Sequence, residues 1–331
     1  MSSKHSQRAA IVGAGLMGRW HADAVARVGG IVAVVVDPNL ARAAALARRF
    51  PGSRAVDDLL DLTAADGIDV VHLCTPPSTH LTLATAALEA GAHVLVEKPL
   101  APTARETADL IALARARDRL LCPTHQVPFQ AGVSEVLGEL HRLGRLVHVE
   151  ASICSAGADD YPVEERDRIA GEVLPHPLSF VARLFDRPLP TTGWQVIHPA
   201  PGELRIAAAI EGVSVAILVS LAGRPPRHEI HLVGERASAY LDLFHGFAVI
   251  EPGATSRAYK VARPVLMSSR TALAAATNLI GRAARREPAY PGLRELVQRF
   301  YQATRGEREP PISAREIMDV ALARDAILAA R

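Results

Sequence analysis

The sequence predicts an α/β protein in two parts: an N-terminal doubly wound parallel sheet, then an α+β part with a large mixed or antiparallel open sheet. Three observations point there. Up to about residue 124, short and fully apolar runs alternate with longer helical patterns, which is how parallel strands covered on both faces read. Beyond that point, alternating strand patterns follow one another closely, as antiparallel or mixed sheets do. The 331 residues exceed one ordinary core and suit two domains.

In order, residues 8–12 read as a strand and 16–28 as a helix. A strand at 31–36 (Ile-Val-Ala-Val-Val-Val), a helix at 39–49, a short strand near 53–56 and a helix near 57–64 follow. Then come a strand at 69–74, a helix at 78–90, a strand at 92–96, a helix at 103–117 and a strand at 120–124. Right-handed crossovers turn this series into a doubly wound sheet. Pro123 and Pro128 punctuate the end of this part. The second part opens with a helix at 129–143 and an alternating strand at 145–154. A Pro-rich helix start lies near 175–177, with strands at 191–198, 203–210, 213–221, 228–233 and 237–241. Glu211-Gly212 between two alternating runs reads as a tight hairpin. Helices are expected at 265–286 and 293–305. The last one is capped by Ser313 with Glu316 three positions on, a capping box. The domains expected are 1–124, 125–311, and a final helix at 312–331 packing back on the first domain.

Composition narrows the function. The 37 basic and 35 acidic side chains nearly cancel, to +2, so no strong field singles out nucleic acid as a partner. No run of about 18 apolar residues occurs, so no membrane span and no membrane partner are expected. The polar start of the chain breaks into a short apolar run at Ala9–Val12, too short for a signal segment. The three cysteines, Cys74, Cys122 and Cys154, have no ligand-like spacing. They indicate a reducing, cytoplasmic setting and no metal site.

The strongest local motif is Gly13-Ala14-Gly15-Leu16-Met17-Gly18, between a predicted strand and a predicted helix. The first glycine permits a tight turn, the second lets backbone approach a pyrophosphate, and the third lets helix pack on strand. The helix N-terminus then faces the phosphates. This is the dinucleotide fingerprint of a Rossmann domain, and Asp37, about 20 residues on, stands where the fingerprint expects an acid. A carboxylate there accepts from ribose hydroxyls and repels a 2′-phosphate, which favours NAD over NADP. Glu97-Lys98-Pro99 ends the fifth strand, at the sheet edge where ligands bind. On placement alone Lys98 is either a nicotinamide-side lysine or a solvent-facing loop lysine.

Three stretches together resemble the glucose–fructose oxidoreductase/inositol dehydrogenase (Gfo/Idh/MocA) family. They are the glycine motif, Cys74-Thr75-Pro76-Pro77-Ser78-Thr79-His80, and Gly91 to Pro102 around Glu97-Lys98-Pro99. The resemblance runs over nearly the whole chain. It implies cofactor contacts from Gly13, Gly15, Leu16, Met17, Gly18, Asp37, Thr75, Pro76, His80, Glu97 and Lys98. It also implies that Lys98 lies at substrate and nicotinamide and cooperates with a histidine preceded by an aspartate. Here His176 takes the histidine position and Glu172 stands where aspartate is usual. Ser179 replaces a further acid, and His125-Gln126 replaces an Asn and Arg of sugar-binding relatives. Glu172, His176, His125 and Gln126, with Lys98, are the substrate-side candidates.

The implied activity is NAD-dependent interconversion of a secondary alcohol and a ketone on a small molecule: a sugar, cyclitol, sugar acid or nucleotide sugar. Lys98, His176 and Glu172 would be catalytic, His176 accepting the hydroxyl proton because its reference pKa lies near 6.5. A homodimer or homotetramer is implied too. Two alternatives stay open: transient use of tightly bound NAD to drive elimination or glycoside cleavage, and a non-catalytic NAD-binding sensor.

Overall fold

A computed structural model describes residues 6–62, 66–185, 187–253 and 256–331. Two compact units emerge, Met1–Thr124 with Leu293–Ala321, and His125–Gly292 with Leu322–Arg331.

The first unit holds a six-stranded sheet of β1 (Arg8–Val12), β2 (Ile31–Val36), β3 (Arg54–Val56), β4 (Val70–Leu73), β5 (His93–Val96) and β6 (Leu121–Pro123). The order is β3-β2-β1-β4-β5-β6 and every pairing is parallel. Ala9 to Val12, Val32 to Val36 and Val94 to Val96 are all buried, which is why these strands read as unbroken apolar runs. Helices α1 (Leu16–Arg27), α2 (Leu40–Ala47), α3 (His80–Glu89) and α4 (Ala104–Ala116) make the crossovers. Strand order reverses between β1 and β4, so the ligand crevice of such a sheet lies at the carboxyl ends of those two strands.

The helix expected near 57–64 is one short 3-10 turn at Leu59–Asp61; its positions 63 and 64 lie outside the described residues. Asp58 caps that turn by accepting from the Leu60 N–H. Helix α9 (Leu293–Thr304) belongs to this unit and packs on α1. The last helix, α10 (Ala314–Ala329), starts on the expected capping box. The Glu316 N–H donates to Ser313 Oγ at 3.2 Å, and the Ser313 N–H donates to the Glu316 carboxylate at 2.8 Å.

The second unit holds a seven-stranded sheet: β7 (Leu146–Cys154), β8 (Gln195–Ala200), β9 (Glu203–Ile210), β10 (Val213–Ser220), β11 (Arg227–Gly234), β12 (Ala237–Asp242) and β13 (Phe247–Pro252). The order is β13-β12-β11-β7-β10-β9-β8, antiparallel except where β7 meets β10. The hairpin of β9 and β10 turns at Glu211 and Gly212, both with positive φ (51° and 78°). That pair of left-handed residues matches the twist of the strands. Helices α5 (Ala131–Gly138), α6 (Arg166–Val173), α7 (Pro175–Leu184) and α8 (Arg257–Arg285) complete the unit. The single helix expected at 129–143 is shorter: α5 stops at Gly138, a poor helix former, and a 3-10 turn at Leu140–Arg142 follows.

Candidate active site

The dinucleotide fingerprint folds as its residue types require. Gly13 has φ +95°, and a Cβ there would sit 2.6 Å from the Cys74 carbonyl oxygen. A Cβ at Gly18 would sit 1.8 Å from the Gly13 carbonyl oxygen, so the first turn of α1 can lie against the loop only with glycine. Gly15 is different: no atom lies within 4 Å of its would-be Cβ. It precedes α1 with no side-chain cap, so the first N–H groups of that helix are open to an anion. Leu16 is exposed and Met17 half-buried on this first turn. The cradle fits a dinucleotide pyrophosphate.

Asp37 closes the loop from the next strand. Its Oδ2 accepts from the Ala14 N–H at 2.8 Å, and its Oδ1 from the Asn39 N–H at 2.9 Å. The acid therefore fixes the glycine turn.

The loops after β1, β4 and β5 leave the sheet side by side. The Cys74 N–H donates to the Val12 carbonyl and the Glu97 N–H to the Leu73 carbonyl, each at 2.8 Å. Thr75 is half-buried and Pro76 exposed; the Thr79 hydroxyl donates to Thr75 Oγ1 at 2.7 Å. His80 is fully buried. Its Nδ1 meets the Pro99 carbonyl at 2.8 Å and its Nε2 the Thr75 carbonyl at 2.9 Å. With a backbone carbonyl against each nitrogen, this residue braces the two loops.

Glu97 is buried and Lys98 half-buried. One Glu97 oxygen accepts the Lys98 backbone N–H at 3.2 Å, and the other lies 3.0 Å from His21 Nε2 of α1. Burial pushes the Glu97 carboxyl up; the His21 hydrogen bond and charge, with the charge of Lys98, outweigh it and leave the group below its ordinary value. Behind His21 lies His72 of β4, the two Nδ1 atoms 2.9 Å apart, and His72 Nε2 is 3.0 Å from the Tyr301 hydroxyl of α9. Burial, then His21, holds His72 well below the ordinary histidine value. Burial, then Glu97, raises the Cys74 thiol well above its own.

His21, His72 and Tyr301 carry no role in the sequence reading. One signal was available: a histidine in the otherwise apolar strand Val70-Val71-His72-Leu73 must find a polar partner once buried.

In the second unit, Glu172 lies on α6 and His176 in the first turn of α7, after Pro175 at that helix's first position. Glu172 pairs with Arg168 one turn earlier. The His176 ring lies edge-on to His228 of β11, centroids 5.6 Å apart. Ser179, in place of an acid, donates to the His176 carbonyl at 2.8 Å and so secures the start of α7. His125 is buried and Gln126 half-buried, at the entry to a 3-10 turn over Val127–Phe129. The expected cofactor residues thus gather on one edge of the parallel sheet, while Glu172 and His176 sit on consecutive helices.

A family profile described as an oxidoreductase family with an NAD-binding Rossmann fold matches residues 7–125. An inositol 2-dehydrogenase of Rhodococcus erythropolis is 32% identical over 261 residues, 73% of this chain and 74% of that protein. Inositol 2-dehydrogenase 2 of Mycolicibacterium vanbaalenii is 31% identical, over 71% of this chain and 72% of its own length. Among solved structures, UDP-N-acetylglucosamine 3-dehydrogenase from Acidithiobacillus ferrooxidans aligns with a TM-score of 0.75 at 19% identity, covering 98% of both chains. A levoglucosan dehydrogenase in complex with NADH and levoglucosan gives 0.74 at 18% identity, over 98% of this chain and 97% of that one.

Proposed function

The chain belongs to the Gfo/Idh/MocA family of oxidoreductases with an NAD-binding Rossmann fold, and on that premise we propose that it is an NAD-dependent dehydrogenase oxidising one ring hydroxyl of a cyclitol or sugar to a ketone. The observation that carries this reading is the position of Lys98. It follows β5 at the carboxyl edge of the parallel sheet, and its neighbour Glu97 contacts α1, the helix that begins at the glycine turn. The activities of the inositol 2-dehydrogenases named above support the cyclitol or sugar class.

Bound NAD would supply the hydride acceptor. Gly13, Gly15 and Gly18, with Leu16 and Met17, would hold its pyrophosphate at the start of α1, and Asp37 its ribose hydroxyls. The carboxylate of Asp37 supports NAD over NADP. A relative at 31% identity over 34% of this chain, from Bacillus subtilis, is an NADP(+) scyllo-inositol 2-dehydrogenase, so the preference needs its own test. In this reading Lys98 holds a proton on or near the reacting oxygen. His176, with Glu172 four residues before it, takes the hydroxyl proton, which must leave as the carbon–hydrogen bond breaks. His125 and Gln126 are proposed to help select the substrate. The chain works as a homodimer or homotetramer in the cytoplasm; no described helix is long and apolar enough to cross a membrane.

The test is nicotinamide reduction measured with NAD and a panel of cyclitols, sugars and nucleotide sugars. Lys98→Ala is expected to lower kcat at least about 100-fold, the common scale for losing a positioned acid or base, with NAD affinity retained. Turnover within a few-fold of wild type in that variant would remove Lys98 from the chemistry.

A further inference from the structure

Four polar side chains of the first unit stand in single file beneath the sheet edge. Tyr301 Oη, His72 Nε2 and Nδ1, His21 Nδ1 and Nε2, and Glu97 Oε1 are linked by contacts of 3.0, 2.9 and 3.0 Å. His21 and His72 are fully buried, Tyr301 and Glu97 nearly so. They come from α9, β4, α1 and the end of β5, so four separate elements assemble the line.

Each link restricts the next. Between the two Nδ1 atoms only one can carry hydrogen, since two N–H groups would collide and two bare nitrogens would leave lone pairs facing. A neutral imidazole has one donor and one acceptor nitrogen, so the choice made at one end passes along the file. If Tyr301 O–H donates to His72 Nε2, then His72 Nδ1–H donates to His21 Nδ1, and His21 Nε2–H donates to an ionised Glu97. Every group is satisfied. In the reverse direction either Glu97 is an uncharged acid or His21 carries hydrogen on both nitrogens, and in both cases the Tyr301 hydroxyl must give its hydrogen elsewhere. Among the described residues its only hydrogen-bond partner is His72, and a buried O–H left unmatched is unfavourable. The direction that runs from Tyr301 to Glu97 is the satisfied one.

We infer that Tyr301, His72 and His21 are positioning residues that hold Glu97 as a carboxylate beside Lys98, and so govern when the Lys98 amine carries its proton. The other groups bearing on the site are accounted for. Cys74, at the end of β4, stays an uncharged thiol through burial and the nearby Glu97. Asp69, just before β4, acts on Tyr301 in the same direction as burial, keeping its hydroxyl protonated. The effect on turnover rests on the proton-handling role proposed for Lys98; the effect on Lys98's own titration does not.

The sequence makes this directly measurable, because it has only three lysines: Lys4, Lys98 and Lys260. Reductive methylation with labelled formaldehyde gives each amine its own NMR signal, and Lys98→Arg identifies that of Lys98. Tyr301→Phe and His72→Leu should move the Lys98 titration to lower pH by at least about half a unit, since the charges of Glu97 and Lys98 act on each other and a nearby opposite charge commonly contributes roughly 1–3 units. His72→Gln, whose amide can donate to His21 and accept from Tyr301, should restore most of it. Tyr301→Phe deletes one oxygen and His72→Gln keeps both polar functions, so the comparison survives if His72→Leu does not fold. A Lys98 titration that coincides in wild type and Tyr301→Phe would overturn the inference. A shifted titration with an unmoved kcat pH profile would leave the file intact and overturn the proton-handling role of Lys98.

Discussion

Asp37 serves two ends at once, and a single atom change separates them. Its Oδ2 secures the glycine turn through the Ala14 N–H, while its charge sets the preference between dinucleotides. Asp37→Asn keeps one acceptor, enough for the Ala14 N–H but not for the Asn39 N–H as well, and removes the charge that repels a 2′-phosphate. We expect the ratio of kcat/KM for NADP to that for NAD to rise about tenfold or more, or some 1.4 kcal/mol, with a stability loss of about 1 kcal/mol for the hydrogen bond given up. An unchanged ratio would show that the carboxylate does not face the ribose. The residue scale also marks what the sequence could disclose. Gly13, Gly18 and Asp37 were legible because backbone geometry demands them at fixed spacing. His21, His72 and Tyr301 were not: they lie 51 and 229 residues apart along the chain, and only the sheet brings them together. His80 was legible as part of a motif but not as a brace, because a ring bonded only to carbonyls leaves no trace in side-chain pattern.

At the scale of elements, the parallel strands were readable because burial on both faces leaves an unbroken apolar run. The misses have local causes. β13 (Phe247–Pro252) is an edge strand ending in proline, and edges tolerate sequence that central strands do not. α6 carries charges in its first turn and Gly171 near its end, which dilutes a helical pattern. α8 was expected from 265, just past Pro264, yet it begins two turns earlier. Ser256 caps it by accepting from the Tyr259 N–H, and Pro264 lies inside it. None of its 29 residues is buried. Val261, Val265, Leu273, Leu279 and Ile280 are each at least 67% exposed. Ala258, Ala262, Val265, Ser269, Ala272, Ala276, Leu279 and Ala283 recur at alternating steps of four and three, the spacing by which one helix receives another. Its charged residues (Arg257, Lys260, Arg263, Arg270, Arg282 and Arg285) fall outside that stripe. For the homo-oligomer proposed above, we propose this face as the contact between copies of the chain. Val265→Arg with Leu279→Glu should give a smaller species by light scattering than the unaltered chain, while each copy keeps its circular dichroism. An oligomer of unaltered mass would place the contact elsewhere.

At the scale of the whole molecule, the buried histidines set how stability answers to pH. Burial, then His21, depresses His72, and burial, then Arg119, depresses His93. Once unfolded, both return to about 6.5, so below that pH the unfolded chain binds protons that the folded one refuses. The contribution is therefore complete above about pH 6.5 and is lost as pH falls toward the folded values. Glu97 acts in the same sense at lower pH. Its carboxyl is also depressed, so its share is complete above about pH 4.3 and lost as pH falls through its folded value. Acidification from neutrality thus loads His72 and His93 first and Glu97 later. Denaturant unfolding across this range should show stability falling with acid, each histidine contributing at most about 1.4 kcal/mol per pH unit. His72→Leu removes one titrating group, so its curve should be flatter between about pH 6.5 and 5 even though its stability at neutral pH is lower. Parallel curves for wild type and variant would mean that burial does not depress His72 in the folded chain.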